Sequence, residues 1–282
     1  MQNTSNNSLF PPNSGIDIAA CQSTIGELIR QAMSKTPVTE SAIESTIRVN
    51  TTGMSDRIKN IIELLNIKEG DTIGDFGCGY GFMPILLHAA ANVKVDAFDR
   101  SNSFLDLGRS FASSYPKQSQ GVTFICHDYL NDTISEDHGP YDVILMNNTL
   151  QYVVGNQNKL EVIRQLSSRL KPGGSIMIFG PNPWYPREPF TRLLMIQWLP
   201  RKLSKALTTR LKRRDLSDIH YSSYPSLRKL SRRAGLARTR YHPNGNRKTY
   251  WSDGILRKIV SPIFCRSFAL VGRAPLSGKE NR

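Results

Sequence analysis

The 282-residue sequence predicts an α/β protein built on a doubly wound, largely parallel sheet. Three observations support this fold class. Between residues 72 and 179, short runs rich in β-branched and aromatic residues alternate with segments of helical apolar spacing. A glycine-rich loop follows the first run, and an acidic residue follows each of the next two. Strands that alternate with helices form a parallel sheet covered on both faces.

The N-terminal part is assigned first. Residues 1–15, which are rich in Asn and Ser and contain a Pro-Pro pair, predict a disordered tail. Residues 16–70 predict N-terminal helices, of which two short ones end near residue 49 and a third covers 55–67. In that third helix three isoleucines and Leu65 share one face, so we expect this face to be buried.

Residues 71–180 predict the core of the sheet. The predicted strands cover residues 72–76, 93–98, 122–126, 141–146 and 174–179, and the predicted helices cover 82–91, 103–114 and 159–170. The fourth strand is almost entirely apolar, which suits a central strand buried on both faces. A Lys-Pro-Gly-Gly turn at residues 171–174 leads into the fifth strand.

The pattern changes after residue 180. Four prolines predict a loop, and residues 190–211 predict a basic, amphipathic helical region that breaks at Pro200. We assign residues 181–225 to a helical insertion shaped as a lid. Residues 226–282 complete the core sheet, with a helix over 226–234 and strands over 238–241 and 268–273.

Composition excludes several protein classes. No apolar run is long enough for a membrane span, and the first basic residue is Arg30, so we expect neither a secretory signal nor an import presequence. The four cysteines are scattered, without metal-ligand spacing, so we expect no disulfide framework and no metal site. A cytoplasmic location follows as the expectation.

Charge is distributed unevenly along the chain. The net charge is +14, and residues 171–282 alone carry 24 Lys and Arg against five Asp and Glu. This uneven distribution of charge indicates an anionic partner for the C-terminal part: nucleic acid, an acidic membrane surface or a phosphorylated substrate. A generally basic, soluble surface is the other interpretation.

The glycine loop has the sequence Asp-Phe-Gly-Cys-Gly-Tyr-Gly over residues 75–81. Glycines allow a tight turn, and the following helix N-terminus offers free N–H groups to a polar ligand. The spacing is G-x-G-x-G. It differs from the dinucleotide fingerprint, because Phe82 stands where that motif has its last glycine, and it lacks the Gly-Lys-Ser/Thr of a P-loop.

Polar residues follow the next strands in order. Asp99 ends the second strand, 18 residues after Gly81, where a carboxylate can accept two ribose hydroxyl hydrogen bonds. Asp128 follows the third strand and offers an acceptor to an adenine amino group. Asn147 begins the Asn-Asn-Thr-Leu-Gln-Tyr stretch after the fourth strand. Their joint occurrence at strand ends predicts a nucleoside site.

These motifs resemble class I S-adenosylmethionine-dependent methyltransferases of the small-molecule, type-11-like branch. The resemblance covers residues 55–179 well and the last two strands loosely. It implies a Rossmann-like, seven-stranded sheet whose last strand is antiparallel. One position departs from the family pattern, because Gly74 stands where a bulky aliphatic residue is usual.

The resemblance also implies a set of cofactor contacts for S-adenosylmethionine. The methionine part would lie against the loop, the ribose against Asp99, and the adenine near the ends of the second and third strands. Asn147 would reach the methionine end through its backbone. The implied residues are Asp75, Gly77, Cys78, Gly79, Gly81, Asp99, Arg100, Asp128, Tyr129 and Asn147.

The residues that would activate the acceptor are less defined by the sequence. His220, in Ser-Asp-Ile-His-Tyr, is the candidate general base, because an oxygen or amine acceptor can require proton removal. Tyr152 and Tyr224 are weaker candidates. A surface or structural histidine is the competing interpretation of His220.

The expected function is methyl transfer to a small molecule that is apolar or anionic, such as a lipid-linked, prenyl or glycosyl intermediate. Two alternatives stay open. One is an RNA methyltransferase that uses the basic C-terminal region, although the basic clusters are short and the Asn-Pro-Pro-Tyr-like motif of base N-methylation is absent. The other is a non-catalytic S-adenosylmethionine-binding protein.

Residues 190–211 combine apolar and basic side chains, as interfacial helices do. We therefore expect this segment to lie at the acceptor entrance and to contact an anionic membrane surface or an amphiphilic acceptor. The plain alternative is a helix that docks on the core. The sequence leaves the oligomeric state open.

Overall fold

The computed structural model describes residues 9–10, 16–35, 38–128, 132–211, 213–243 and 265–276. The chain divides into two compact units, the first comprising residues 1–128 and the second residues 129–282. Of the predicted N-terminal tail, the structure describes only Leu9 and Phe10, and Phe10 is buried. None of the helices in these ranges has the length and apolar run that a bilayer crossing requires.

The first unit contains three parallel strands and the helices that precede or connect them. Its strands are β1 (Thr72–Phe76), β2 (Lys94–Asp99) and β3 (Val122–Cys126), with β2 paired to both others. Its helices are α1 (Ile18–Met33), α2 (Glu40–Thr51), α3 (Met54–Leu65), α4 (Phe82–Ala91), α5 (Asn102–Ser114) and α6 (Pro116–Ser119).

Local sequence explains these helices. Asp17 caps α1 by accepting a hydrogen bond from the Ala19 N–H at 2.9 Å, and Ser101 caps α5 in the same way. In α3 three members of the predicted apolar stripe, Ile58, Ile61 and Leu65, are buried, and the fourth, Ile62, is half-buried. Such caps and stripes fix where each helix begins and which face it buries.

The second unit contains the remaining strands. These are β4 (Tyr141–Asn147), β5 (Leu170–Pro181), β6 (Ala237–Pro243) and β7 (Ser267–Arg273), with β4 and β5 parallel and β7 antiparallel to both β5 and β6. Its helices are α7 (Asn156–Ser167), α8 (Arg201–Arg210) and α9 (Tyr224–Arg233). The sheet order is β3-β2-β1-β4-β5-β7-β6, which confirms the predicted doubly wound, seven-stranded sheet with an antiparallel last strand.

Two local predictions are wrong. Residues 190–199 are not helical, because the loop turns back on itself through an isolated bridge between Arg187 and Leu194 and ends in a short 3-10 turn at Ile196–Trp198. Left-handed backbone at Arg192 and Met195 excludes a continuous helix there. Residues 171–174 belong to β5 instead of forming a turn that precedes it, since that strand begins at Leu170.

Candidate active site

The glycine loop connects β1 to α4 in the first unit. Gly77, Gly79 and Gly81 have φ angles of 82°, 60° and 69°, a left-handed backbone that favours glycine. A Cβ atom on Gly81 would lie 2.5 Å from the Phe124 ring, whereas one on Gly79 would meet open space. The loop is therefore tightly packed at the helix start and open at its middle glycine.

The side chain of Asp99, at the end of β2, supports this loop. Its Oδ2 accepts a hydrogen bond from the Gly79 N–H at 2.9 Å, and its Oδ1 accepts one from the Ser101 N–H at 2.9 Å. Each carboxylate oxygen can accept a further hydrogen bond. Asp99 is half-buried, so it can still bind a ligand hydroxyl.

The side chain of Asp75, at the end of β1, is buried with only 3% exposed. Its Oδ1 has no hydrogen-bond partner among the described residues. Burial, and then the nearby carboxylate of Asp99, raise the pKa of Asp75 to about 7. A buried carboxylate without a donor is costly, so this atom indicates a site for a cationic or hydrogen-bonding ligand.

The other predicted cofactor residues are placed as follows. Burial, and then the carboxylates of Asp75 and Asp99, raise the pKa of the Cys78 thiol, so the thiol stays neutral. Arg100 is exposed after β2, and Asp128 is half-buried after β3. Asn147 ends β4 in the second unit, and Tyr129 lies outside the described residues.

The second unit contains a cavity of about 20 Å³, room for an ordered water molecule. Gln151 is 6% exposed, and neither atom of its side-chain amide has a hydrogen-bond partner within the described ranges. The other lining residues are mainly apolar. The lining comprises Leu150, Gln151, Ile178, Phe179, Gly180, Pro181, Tyr221, Ser222, Leu227 and Phe268.

Segment 220–222 is fixed on one side of this cavity. The His220 N–H donates to the Gln151 carbonyl oxygen at 2.7 Å. The Lys159 ammonium donates to the His220 carbonyl oxygen, and to Ser222 Oγ at 2.8 Å. Lys159 is 2% exposed, and burial lowers its pKa to about 8. Gln151 and Ser222 are thus held by backbone and ammonium contacts.

A second polar cluster surrounds Glu188, which is fully buried. Its carboxylate accepts hydrogen bonds from the Phe190 and Thr191 N–H groups, from Thr191 Oγ1 at 2.7 Å, and from the Tyr221 hydroxyl. Burial and then this hydrogen bond raise the pKa of Tyr221, so its hydroxyl stays protonated. Tyr221 therefore acts as a neutral donor.

The candidate base His220 lies beside Arg201, whose Nη2 is 3.3 Å from His220 Nδ1 and 3.1 Å from Nε2. Burial, and then the charges of Arg201 and Lys159, lower the pKa of His220, which leaves the imidazole neutral. His220 itself is not among the cavity-lining residues, whereas its two successors are. Its role as base stays a prediction.

The structure also shows the surroundings of the two weaker base candidates, Tyr152 and Tyr224. Arg214 interacts with Tyr152, and the Tyr224 ring packs on Tyr241 at 4.7 Å. Neither is among the cavity-lining residues.

Sequence reasoning did not single out Gln151, Lys159 or Glu188. A signal existed for Glu188, because it is the only acidic residue between positions 162 and 214. A lone acid among so many cations indicates a carboxylate in a favourable charge environment, although its burial and its hydroxyl and N–H partners follow only from the structure. Gln151 lies in the polar stretch after β4, but its missing partners depend on packing that the sequence does not reveal.

Residues 73–174 match the family model described as a methyltransferase domain. This central part of the chain is therefore similar to a methyltransferase domain. The phosphoethanolamine N-methyltransferase of Triticum aestivum is 27% identical over 141 residues, which cover 49% of this chain. The matched part spans 26% of that enzyme, about a quarter of the length of this curated relative.

Solved structures share the fold of the domain. The CcbJ methyltransferase of Streptomyces caelestis is 19% identical with a TM-score of 0.58, and the alignment covers 78% of this chain and 95% of that one. Geranyl diphosphate C-methyltransferase of Streptomyces coelicolor A3(2) is 16% identical with a TM-score of 0.53, over 78% of this chain and 75% of that one. The latter structure contains S-adenosyl-L-homocysteine.

Proposed function

We propose that the chain binds S-adenosylmethionine at the glycine loop and transfers its methyl group to a small amphiphilic molecule. The observation that carries the proposal is the buried Oδ1 of Asp75, which has no hydrogen-bond donor among the described residues and directly precedes a loop that is open at Gly79. S-adenosylmethionine has an ammonium group for such a carboxylate. It also has a ribose diol for the free lone pairs of Asp99.

The described residues of the first unit fit this cofactor. Asp75 would accept from the ammonium group, Asp99 from the ribose, and Asp128 from the adenine amino group, while Arg100 would lie near the adenine. When bound, S-adenosylmethionine supplies a methyl group already activated by the sulfonium. The chain is left to align an acceptor, to exclude water and to take up a proton.

The residues that line the cavity of the second unit form the proposed acceptor subsite, and the cavity must widen from about 20 Å³ to admit more than a water-sized group. Gln151 offers one donor and one acceptor group to a polar head, and Leu150, Ile178 and Phe268 offer apolar contact to the remainder. Among the described residues Lys159 bonds to two neutral oxygens, one of them Ser222 Oγ, so its positive charge favours an anionic head group. His220 remains the proposed base.

The names of the relatives agree with such an acceptor. Phosphoethanolamine and geranyl diphosphate are small molecules that carry phosphate, and the second also carries an apolar chain. These names support the class of acceptor, a small molecule with an anionic head.

We expect Asp99→Ala to weaken S-adenosylmethionine binding by about tenfold or more, because each lost hydrogen bond to a charged group costs about 1.5–3 kcal/mol. Isothermal titration calorimetry measures this directly. Asp106→Ala is the control, since Asp106 is 68% exposed on α5 and forms a surface ion pair with Arg109. Unchanged affinity in a folded Asp99 variant would remove Asp99 from the site.

We expect Gln151→Met to increase the free energy of unfolding by about 1–2 kcal/mol, because it removes a buried amide that lacks partners. The same change should lower kcat/KM for the acceptor, because the head group loses its anchor. Urea unfolding tests the first effect without a known acceptor. Gln157→Met, at an exposed position of α7, is the control. A destabilised Gln151→Met variant would show that the amide is satisfied in solution.

RNA methylation remains a second candidate, and α9 favours it. Arg228, Lys229, Arg232 and Arg233 are exposed on this helix, which has no acidic residue. Phosphate contacts of this kind make affinity fall steeply with salt. Incubation with methyl-labelled cofactor and fractionated extract separates the candidates. Label in small molecules supports the proposal, label in RNA supports the alternative, and an absence of label indicates a non-catalytic binding protein.

A further inference from the structure

Helix α8 buries polar side chains and exposes its leucines, which is the reverse of a normal surface helix. Its buried positions are Ser204, 8% exposed, and Thr208, 0% exposed. Leu203, Leu207 and Leu211 lie at four-residue intervals and are 58%, 38% and 46% exposed. An amphipathic helix normally turns its leucines to the core, whereas this leucine stripe stays largely exposed in the part of the chain that the structure describes.

The segment that leads into α8 is also unusually apolar at its surface. Eight of the thirteen exposed large apolar side chains of the described residues lie between positions 184 and 211. We call residues 194–211 the docking segment. Its exposed apolar side chains are Leu194, Met195, Trp198, Leu199, Leu203, Leu207 and Leu211. Such clustering marks a surface that binds a partner.

The exposed positions are held by a defined structure. The Trp198 indole N–H donates to the Pro183 carbonyl oxygen at 2.7 Å, and the Met195 N–H donates to the Pro186 carbonyl oxygen at 2.6 Å. The buried Glu188 carboxylate fixes the turn that precedes them. Hydrogen bonds therefore hold the loop that exposes these apolar side chains and leads into α8.

The charge of this region identifies the partner. Residues 189–214 contain eight Lys and Arg and no acidic residue. Lys202 and Arg210 are exposed on α8 itself. A symmetric contact between two copies would place these cations opposite one another, which is unfavourable. Exposed Leu and Trp beside Lys and Arg instead match the interface of an anionic bilayer.

We propose that the docking segment attaches the protein reversibly to the surface of an anionic lipid membrane, with its leucines and Trp198 inserted at the head-group level. Attachment brings the domain to acceptors that reside in the bilayer. It does not depend on the proposed methyl transfer, since lipid binding is measurable without turnover.

The test is co-sedimentation of the full chain with phosphatidylcholine vesicles, with and without phosphatidylglycerol, at low and high salt. The wild type should sediment with the anionic vesicles at low salt and be released by high salt. Leu203→Ser/Leu207→Ser should lower the partition coefficient by at least about tenfold. Lys202→Gln/Arg210→Gln should lower binding several-fold, and only to the anionic vesicles.

Val38→Ser/Val49→Ser is the matched control, because it removes two exposed apolar side chains, 41% and 65% exposed, outside the docking segment. Its binding should equal that of the wild type. Wild type that stays in the supernatant with anionic vesicles overturns the proposal, as does undiminished binding of the leucine variant. A wild-type dimer in analytical ultracentrifugation that the leucine variant dissociates, without vesicle binding, would assign the segment to self-association instead.

Discussion

Asp75→Asn should weaken S-adenosylmethionine binding by about 10- to 100-fold at pH 7.5, because a neutral amide cannot pair with the ammonium group of the cofactor. In the wild type, affinity should also rise about five- to tenfold from pH 6 to pH 7.5. The reason is that burial and the Asp99 carboxylate raise the pKa of Asp75 to about 7, and only the ionised form attracts a cation. The Asn variant should lose this pH dependence.

The same carboxyl group makes the free protein less stable as pH rises. Between its ordinary pKa of 3.8 and about 7, folded Asp75 binds more proton than unfolded Asp75. The free energy of unfolding therefore falls as pH rises through this window. Asp75→Asn removes the effect, so the variant should unfold at a higher temperature than the wild type at pH 8.

Calorimetric titrations at several pH values and thermal melts of both proteins measure the two effects. Loss of affinity together with higher stability separates a ligand site from a merely structural carboxylate, which would lose stability when changed. Wild-type affinity that is independent of pH in this range would contradict the assignment of Asp75. Asp106→Asn, at an exposed position, is the matched control.

The sequence predicts the strand core because its signals are local. The apolar run of β4 and the alternating strand and helix pattern need only short-range periodicity, and the left-handed turns of the loop need glycine. The placement of Asp99 beside the loop follows from parallel topology. For these reasons the fold class and the loop with its supporting carboxylate were predictable.

The insertion was less predictable because tertiary contacts override its periodicity. Residues 190–199 show apolar and basic side chains at helical spacing, yet the chain turns back on itself there, with the Glu188 N–H donating to the Leu193 carbonyl oxygen and the Met195 N–H to the Pro186 carbonyl oxygen. In α8 the helix forms as predicted, but the periodicity does not reveal that its leucines face solvent. Periodicity identifies an apolar face and not its partner.

The sequence also does not reveal which buried polar groups lack hydrogen-bond partners. Asp75 stands out in the sequence only through the family resemblance, and Gln151 reads as an ordinary polar residue in the stretch after β4. Their significance depends on being buried beside groups that do not complete their hydrogen bonds. Such groups cost stability, and proteins retain them where a ligand completes the bonds. This makes the two residues the best structural markers of a cofactor and an acceptor.

Glu188→Ala should lower the free energy of unfolding by about 3–5 kcal/mol, because four donors lose a buried carboxylate acceptor. Glu188→Gln keeps the shape and part of the acceptor capacity, so its effect should be smaller. Tyr221→Phe removes one donor only and should cost about 1–2 kcal/mol. Urea unfolding followed by circular dichroism and tryptophan fluorescence measures all three.

The Glu188→Ala substitution should also make the loop that follows Glu188 more mobile. Arg192 is exposed in this loop and its backbone N–H donates to the Glu188 carbonyl oxygen at 2.8 Å, so we expect trypsin to cleave after Arg192 faster in Glu188→Ala. Glu161→Ala is the control, since Glu161 is 66% exposed and forms a surface ion pair with Arg164. Wild-type unfolding together with wild-type resistance at Arg192 would mean that the cluster does not brace the loop. A loosened loop should also hold Leu194 and Trp198 less rigidly. We therefore expect the Glu188→Ala variant to bind anionic vesicles more weakly than the wild type.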